Sequence, residues 1–293
     1  MMDTVFTLRL YGEEDEVRPY FASTRALLTE IEGVLSCTEP DSDVSRINTS
    51  RSAGELSPHT VAVLEIAREA MLLTDGTYLP TMGAVTALWK AAGESNTLPD
   101  GEALATALAA ARLGFSLENG RCTLLGDGAL LDLGGIGKGY AADLVLAHLT
   151  DAGVKGALLS FGSSVATLGE KGNGEPFRIS LRHPRESAAT VGTLIAPQGV
   201  LSVSGDYERY VTVNGTHYHH VLDPQSGYPS DSGIASVAVL CESGAMSDAL
   251  STAFLVMGRE KAEALISSGT VAAKAVFITA DGETVVTEGL VME

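Results

Sequence analysis

Cysteine is scarce in this chain: three residues, Cys37, Cys122 and Cys241, with no two close in sequence. That spacing supplies neither a disulfide framework nor a zinc-binding pair. Basic residues are scarce too, 19 Lys and Arg against 37 Asp and Glu, for a formal net charge of −18. A chain this acidic repels phosphate backbones and anionic bilayers, so nucleic acid and membrane surfaces are poor partners. Long apolar runs are missing as well. No segment reads as a membrane span, a signal peptide or a lipid-attachment cysteine. The chain as written is expected to be soluble, in the cytoplasm, or in the cell envelope if a leader has been removed ahead of it.

What is present suffices for a core. Hydrophobic residues make up 45% of the 293 positions, a length that fits one large domain or two small ones. The acidic balance also carries a positive implication. A protein of this charge that binds a polyanion needs help, and a bound divalent cation is the usual help.

The stretch that organises the chain runs from Leu130 to Asp143, Leu-Leu-Asp-Leu-Gly-Gly-Ile-Gly-Lys-Gly-Tyr-Ala-Ala-Asp. Ahead of it, Ala129 to Leu131 reads as a short buried strand. Four glycines, at 134, 135, 137 and 139, then fall within six residues; glycine permits φ > 0 and close approach to a ligand. Tyr140 to Leu149 carries apolar residues at helical spacing, and Gly153 is placed to end that helix. A strand, a glycine-rich loop and a helix start attract an anion, and Lys138 adds a positive charge. Two common phosphate motifs fail here. A Walker A loop needs glycine where Asp132 stands, and the dinucleotide fingerprint beginning at Gly135 ends on Tyr140. A plain strand-to-helix turn is the alternative that the cluster alone leaves open.

Along the rest of the chain, Thr4 to Leu10 alternates as a strand and Arg18 to Ser36 repeats as an amphipathic helix. Ser36 to Asn48 is polar and turn-rich, and is expected to be a loop. Ser57 caps a helix with Pro58 in its first position, running to about Thr74 and ended by Gly76. Gly101 to Leu113 is an alanine-rich helix. Strands are predicted over 157–161, 177–181, 200–204 and 234–240. A hairpin is predicted across Asn214-Gly215, from Tyr210 to Val221, and another across Asp281-Gly282. A helix spans about Ser247 to Met257. No strict βαβ repeat and no linker appear. The expected architecture is α+β, one domain over residues 1–293 with mixed sheets packed by helices.

Two constellations carry chemistry. Asp248 and Thr252 stand four apart on a predicted helix, so carboxylate and hydroxyl share a face. Such oxygens suit Mg²⁺, although an aspartate near a helix start is more commonly a cap. His217 and His219 share one face of a hairpin strand and His220 points to the other. The first two read as solvated histidines more readily than as zinc ligands, whereas His220 leads into the turn-rich stretch 221–229 and could act as a base.

With these residues in place, the sequence resembles the ApbE family of flavin transferases. Four blocks match in family order. They are Asp41-Ser42-x-x-Ser45-Arg46-Ile47-Asn48; Asp132 to Asp143; Ser204-Gly205-Asp206-Tyr207 continuing to His220-Val221-Leu222-Asp223-Pro224-x-Ser226-Gly227-Tyr228-Pro229; and Ser247-Asp248-Ala249-Leu250-Ser251-Thr252-Ala253-Phe254. The resemblance covers nearly the whole chain and implies an activity: cleavage of the FAD pyrophosphate with Mg²⁺ and transfer of FMN to a threonine or serine hydroxyl of an acceptor flavoprotein, with release of AMP. The acceptor it implies is a subunit of a membrane redox complex or a flavinylated reductase. By matched position, Asp248 and Thr252 are metal ligands by side chain and Gly135 by its carbonyl. His220 is the catalytic base. Met2, Thr38, Thr77, Tyr78, Leu79, Asp132, Lys138, Leu222 and Ser251 line the FAD site.

The chain departs from the family pattern at three places. Thr38 stands where many relatives have tyrosine, Tyr78-Leu79-Pro80-Thr81 where Phe-Asp-Pro-Thr is usual, and Gly162-Ser163-Ser164 where Gly-Gly-Asp is usual. These bear on the grip on flavin more than on the metal. Two other readings stay open at this point: a Mg²⁺-dependent FAD pyrophosphatase yielding FMN and AMP, and an FAD-binding protein without turnover.

Overall fold

The structure is a computed structural model and describes residues 4–186, 188–196 and 198–293; Met2 lies outside them. The chain begins with β1 (Phe6–Tyr11), α1 (Glu14–Leu35), α2 (Asp43–Ser50), β2 (Ser52–Ala53) and α3 (Pro58–Leu73). Next come α4 (Gly83–Ser95), α5 (Gly101–Arg112), β3 (Phe115–Glu118), β4 (Arg121–Leu124) and α6 (Gly137–Asp151). Strands follow: β5 (Gly156–Phe161), β6 (Ser164–Gly169), β7 (Arg178–Arg182), β8 (Thr190–Ile195), β9 (Gly199–Gly205), β10 (Tyr210–Val213), β11 (Thr216–His219) and β12 (Ile234–Cys241). The chain closes with α7 (Gly244–Met257), α8 (Arg259–Ser267), β13 (Ala273–Thr279) and β14 (Thr284–Val286).

Seven strands form the main sheet in the order β1-β5-β6-β9-β12-β13-β14. Every neighbouring pair in it is antiparallel, which fits the expected α+β class. Side chains alternate between two faces. Val200, Val237, Val239, Ala275 and Phe277 are buried on the side of α6 and α7, and Leu201, Ala238 and Val276 pack with Leu181 and Leu194 of the β7–β8 ribbon. Sheet and helices therefore clamp α6 and α7 in the core, where Ala141, Ala142 and Val145 meet Ala245, Ala249 and Ala253. A separate apolar cluster joins α4 and α5 to the β10–β11 hairpin. Trp89 anchors it: its ring lies 5.0 Å from that of Tyr218, and its Nε1 donates to the Gly227 carbonyl at 2.8 Å. No helix among the described residues is long and apolar enough to cross a membrane.

Several local expectations are met for the reasons given. The Ser57 hydroxyl caps α3 with Pro58 in its first turn, and α1 buries Thr24, Leu28, Ile31 and Leu35 on one stripe. That helix begins at Glu14 rather than Arg18, with acidic Glu14, Asp15 and Glu16 in its first turn, where the helix dipole favours them. The Asn214-Gly215 turn has φ of 49° and 80°, as a tight hairpin requires.

Two expectations are corrected. Within the supposed 36–48 loop, Ser42 accepts from Ser45 N and starts helix α2. Asp43 holds that helix to the next: its carboxylate accepts from Ser57 N and from Thr60 Oγ1, each at 2.7 Å. The Ala129–Leu131 run buries Ala129 and Leu131 but is not a strand. Leu130 makes a single bridge to Met82, and the Asn48 side chain satisfies both backbone groups of Leu131, at 2.7 and 2.9 Å.

The three cysteines form no disulfide. Burial pushes the thiols of Cys122 and Cys241 up to about 12, whereas Cys37 is exposed beyond the end of α1.

Candidate active site

The glycine-rich loop does its work differently from the expectation. None of Gly134, Gly135, Gly137 and Gly139 has a left-handed backbone. The requirement for glycine is one of space and falls on Gly139, where a Cβ would lie 1.9 Å from the Gly244 carbonyl oxygen. The first turns of α6 and α7 thus touch backbone to backbone. Asp143, one turn further along α6, completes the junction by accepting from Gly244 N at 2.7 Å, Ala245 N at 3.1 Å and Ser243 Oγ at 3.3 Å. Its carboxyl is raised above the usual range, first by burial and then by Asp248, against the lowering effect of those bonds. Asp143 belongs to the motif, but its role had no signal in sequence, because it depends on which helix start lies opposite.

This junction brings Asp248 beside the loop. Asp248 is 4% exposed. Its Oδ2 accepts from Gly139 N at 3.2 Å and lies 3.4 Å from Lys138 Nζ. Lys138 Nζ in turn donates to the Gly134 carbonyl at 2.8 Å. Both bonds to Asp248 fall on one oxygen, so Oδ1 is the one left to face a cation. Thr252 lies one turn on, its hydroxyl a long 3.5 Å from the Asp248 carbonyl. A Cβ built on Gly135 would sit 3.6 Å from Thr252 Oγ1 and 3.5 Å from Tyr78 Cε2. The structure therefore brings together Gly135, Lys138, Asp248, Thr252 and Tyr78.

Asp132 joins this group from the loop entrance. Its carboxylate accepts from Gly134 N at 2.8 Å, and its own amide donates to the Pro80 carbonyl at 2.7 Å. Tyr78 is buried, and its phenol is held well above the usual value by burial first and then by Asp248 and Asp132. It stays a protonated donor. Ser251 is buried and engaged inside the protein, donating to the Asp248 carbonyl at 2.8 Å and bonded to Ser204 Oγ at 2.8 Å. Thr77 is half-buried at the end of α3, with its amide bonded to the Thr74 carbonyl at 3.0 Å.

Leu79 and Leu222 meet in the Trp89 cluster. Thr38 is exposed in the turn after α1, its hydroxyl 3.0 Å from Ser36 Oγ. The end of α1 borders the loop, since a Cβ on Gly137 would meet Leu35 Cδ1 at 3.8 Å.

His220 follows directly on β11. Its amide and its Nδ1 both bond the Arg209 carbonyl, at 3.0 and 3.1 Å. A carbonyl accepts only, so Nδ1 carries the proton and Nε2 keeps its lone pair. The residue presents an exposed edge, yet the chain crowded around it pushes the imidazole down to about 4, with Arg209, His219 and Lys138 adding to the effect. His219 is not the solvated residue expected. It is half-buried and its Nε2 bonds the Ser230 carbonyl at 2.9 Å. His217 remains exposed, its ring 4.4 Å from that of Tyr210.

The groups gathered here suit a hard cation: one buried carboxylate, Asp248, with the Thr252 hydroxyl a turn further on and the backbone of Gly135 beside it. Among the described residues no cluster of three or more His, Cys, Asp and Glu could hold a metal, so a cation here would take its remaining ligands from phosphate and water. A buried carboxylate beside a lysine at a helix start is an arrangement that suits a cation together with a phosphate, and it is set here on an antiparallel α+β scaffold.

The chain belongs to the ApbE family, whose sequence model matches residues 2–277. A Klebsiella pneumoniae FAD:protein FMN transferase is 30% identical to it over 89% of this chain and 82% of that protein. One from Vibrio cholerae is 29% identical over 90% and 83%. Among solved structures, the ApbE protein of Thermotoga maritima is similar with a TM-score of 0.88 at 28% identity, covering 98% of this chain and 94% of that one. The apo form of Pseudomonas stutzeri flavinyl transferase ApbE is similar with a TM-score of 0.80 at 27% identity, over 100% and 91%.

Proposed function

We propose that this protein is an FAD:protein FMN transferase. It passes the FMN half of FAD to a threonine or serine hydroxyl of an acceptor flavoprotein and releases AMP, with Mg²⁺ held by Asp248, Thr252 and the Gly135 carbonyl. The observation that carries this reading is the convergence of Asp248, Thr252, Gly135 and Lys138 at the α6–α7 junction. A divalent cation bound there would neutralise pyrophosphate charge as it shifts toward the leaving AMP. Lys138 binds and orients the same phosphates by its ammonium at the positive end of α6, where the amides of Gly137, Gly139 and Tyr140 are already bonded within the protein, and a fixed charge of this kind needs no rearrangement as charge develops. The acceptor oxygen forms a bond to the FMN phosphorus, the bond from that phosphorus to the AMP oxygen breaks, and AMP leaves with the electron pair. The acceptor proton goes to Nε2 of His220, the nitrogen that the Arg209 carbonyl leaves unprotonated.

The test is FAD with Mg²⁺, with and without an acceptor flavoprotein domain. Acceptor-dependent AMP release together with a fluorescent acceptor is the expected result. AMP without acceptor would make the protein a pyrophosphatase, and no AMP at all would make it a binder.

His220→Ala should slow single-turnover transfer about 10²- to 10⁴-fold while FAD still binds. The low value of His220 sets the pH profile. A base that protonates only near 4 is available from pH 5 upward, so kcat/KM should show its acidic limb near 4 and none near 6.5. The same shift makes the histidine's contribution to folding complete above about 6.5 and lost as pH falls toward 4, because there the unfolded chain binds the proton first. The exposed His217 is the proper control, and His217→Ala should leave the rate unchanged. His219→Ala should loosen the Ser230 contact instead. A parental transfer rate in His220→Ala would place the base elsewhere.

A further inference from the structure

The proton of His220 is placed by one atom, the Arg209 carbonyl oxygen, which accepts from the His220 amide at 3.0 Å and bonds its Nδ1 at 3.1 Å. These bonds lie beyond the Tyr210–His219 pair, at the end of the β10–β11 hairpin away from its Asn214-Gly215 turn. A two-stranded ribbon is marginal by itself and frays from its open end. The His220 side of that end is anchored by the Ser230 amide, which donates to the Val221 carbonyl at 3.0 Å. The Arg209 side is anchored through the short connection from β9, residues 206–209. The Asp206 amide donates to the Ala235 carbonyl at 2.9 Å. Its carboxylate is gripped by Arg185, whose Nη1 and Nη2 donate to Oδ1 and Oδ2, each at 2.6 Å. Arg185 is itself set by the turn between β7 and β8. There His183 Nδ1 accepts from the amides of Arg185 at 3.2 Å and Glu186 at 3.1 Å, and Pro184 is buried.

Resting on the function proposed above, we propose that Arg185 is a positioning residue for the base: by its fork on Asp206 it fixes the 206–209 connection, and so the carbonyl that keeps the His220 proton on Nδ1. The pair is suited to this and to little else. The side chains are 47% and 19% exposed, and ion pairs so open to water add little to global stability. Two parallel bonds, however, fix the orientation of a carboxylate as well as its distance, which a lysine in the same place does not. Once the connection loosens, the imidazole proton spreads over both ring nitrogens. Molecules with that proton on Nε2 have no lone pair there to take the acceptor's proton.

Arg185→Ala should slow single-turnover transfer at saturating FAD about tenfold, a part of the 10²- to 10⁴-fold that a general base supplies. FAD affinity should stay within about twofold of the parent, and the urea midpoint should hardly move. Arg185→Lys keeps the charge without the fork and should fall between the two. Three readouts separate positioning from general loosening. In the His220→Ala background, Arg185→Ala should slow transfer no further, because it acts only through the histidine. Long-range proton–nitrogen NMR spectra of the His220 ring should show the Nδ1–H tautomer alone in the parent and both tautomers in Arg185→Ala. The acidic limb of kcat/KM should rise from near 4 as water reaches the ring, stopping short of 6.5 because Arg209, His219 and Lys138 stay beside it. A parental transfer rate in Arg185→Ala, an unchanged tautomer, or equal slowing with and without His220 would overturn the assignment. Failure of the parent itself to transfer flavin to an acceptor would instead remove the functional reading and this role with it, and shows before any substitution is made.

Discussion

Asp248→Ala should leave no measurable AMP release from FAD at Mg²⁺ concentrations that saturate the parent. The substitution removes the one carboxylate among the three proposed metal ligands. It also strands Lys138, whose ammonium lies 3.4 Å from the Asp248 carboxylate, and the Gly139 amide, which donates to it. Breaking a buried ion pair from one side costs about 3–5 kcal/mol, so Asp248→Ala should also unfold at lower denaturant. Asp248→Asn separates the two effects. An amide oxygen can still accept from Gly139 N, so the fold should be nearly retained. A neutral oxygen is a much poorer ligand for a hard cation, and the Mg²⁺ concentration for half-maximal AMP release should rise about 100-fold or more, the order expected when a charged ligand is lost. Parental Mg²⁺ dependence in Asp248→Asn would rule out a metal role for this residue.

The second large effect falls on a glycine outside the ligand set. In Gly139→Ala the new methyl carbon would lie 1.9 Å from the Gly244 oxygen, 2.4 Å from its carbon and 2.9 Å from Ala245 N, all backbone. No side chain can turn aside to relieve this, so the starts of α6 and α7 must separate. The expected loss of stability is about 3 kcal/mol or more, at the upper end for overpacking, and is read as a lower urea midpoint. Gly135→Ala is the comparison. Its Cβ meets Tyr78 and Thr252 at ordinary contact distances and its φ is not left-handed, so it should fold normally. Parental stability in Gly139→Ala would mean that the two helix starts are not in backbone contact.

These two glycines show how far the sequence could be read. The motif from Asp132 to Asp143 located the site, because its residue types fall in unbroken order. It did not say which glycine is needed for what. Gly139 is dictated by Gly244, more than a hundred residues away, and no local rule reaches that far. The α1, α3 and α5 helices were legible because their signals are local, as with Ser57-Pro58 at the start of α3 and the apolar stripe of α1. Helix α2 was hidden in a run of Ser, Asp and Asn that reads equally as turn and as cap; the Ser42 side chain decides between them. Ala129–Leu131 looked like a strand because it is apolar. Its hydrogen bonds go to the Asn48 side chain, a partner that periodicity cannot show. The β3–β4 hairpin turns on Asn119-Gly120, with φ of 51° and 70°. It carried the same signal as Asn214-Gly215 and was not among the expected elements.

Spacing put Asp248 and Thr252 on one face of α7, but that Lys138 of α6 lies beside them was implied only by the family resemblance. Leu79 and Leu222 pack together in the Trp89 cluster, and Thr38 is exposed. The tautomer of His220 depends on the carbonyl of Arg209, which a strand crossing supplies. His219 and His220 also exchanged their expected surroundings in part. Alternation correctly separated them, but it could not say that the Ser230 carbonyl waits on the side of His219.

The distribution of the cysteines gives the protein a single chemical handle. Cys122 and Cys241 combine burial with thiols pushed up to about 12, so almost none of either is thiolate at neutral pH. Cys37 is exposed at the residue before Thr38. A maleimide dye should therefore add once to the native protein and three times after unfolding in urea, as counted by intact mass. The single dye would then sit beside a position expected to border the flavin, where arriving FAD should quench it and report binding without any further substitution.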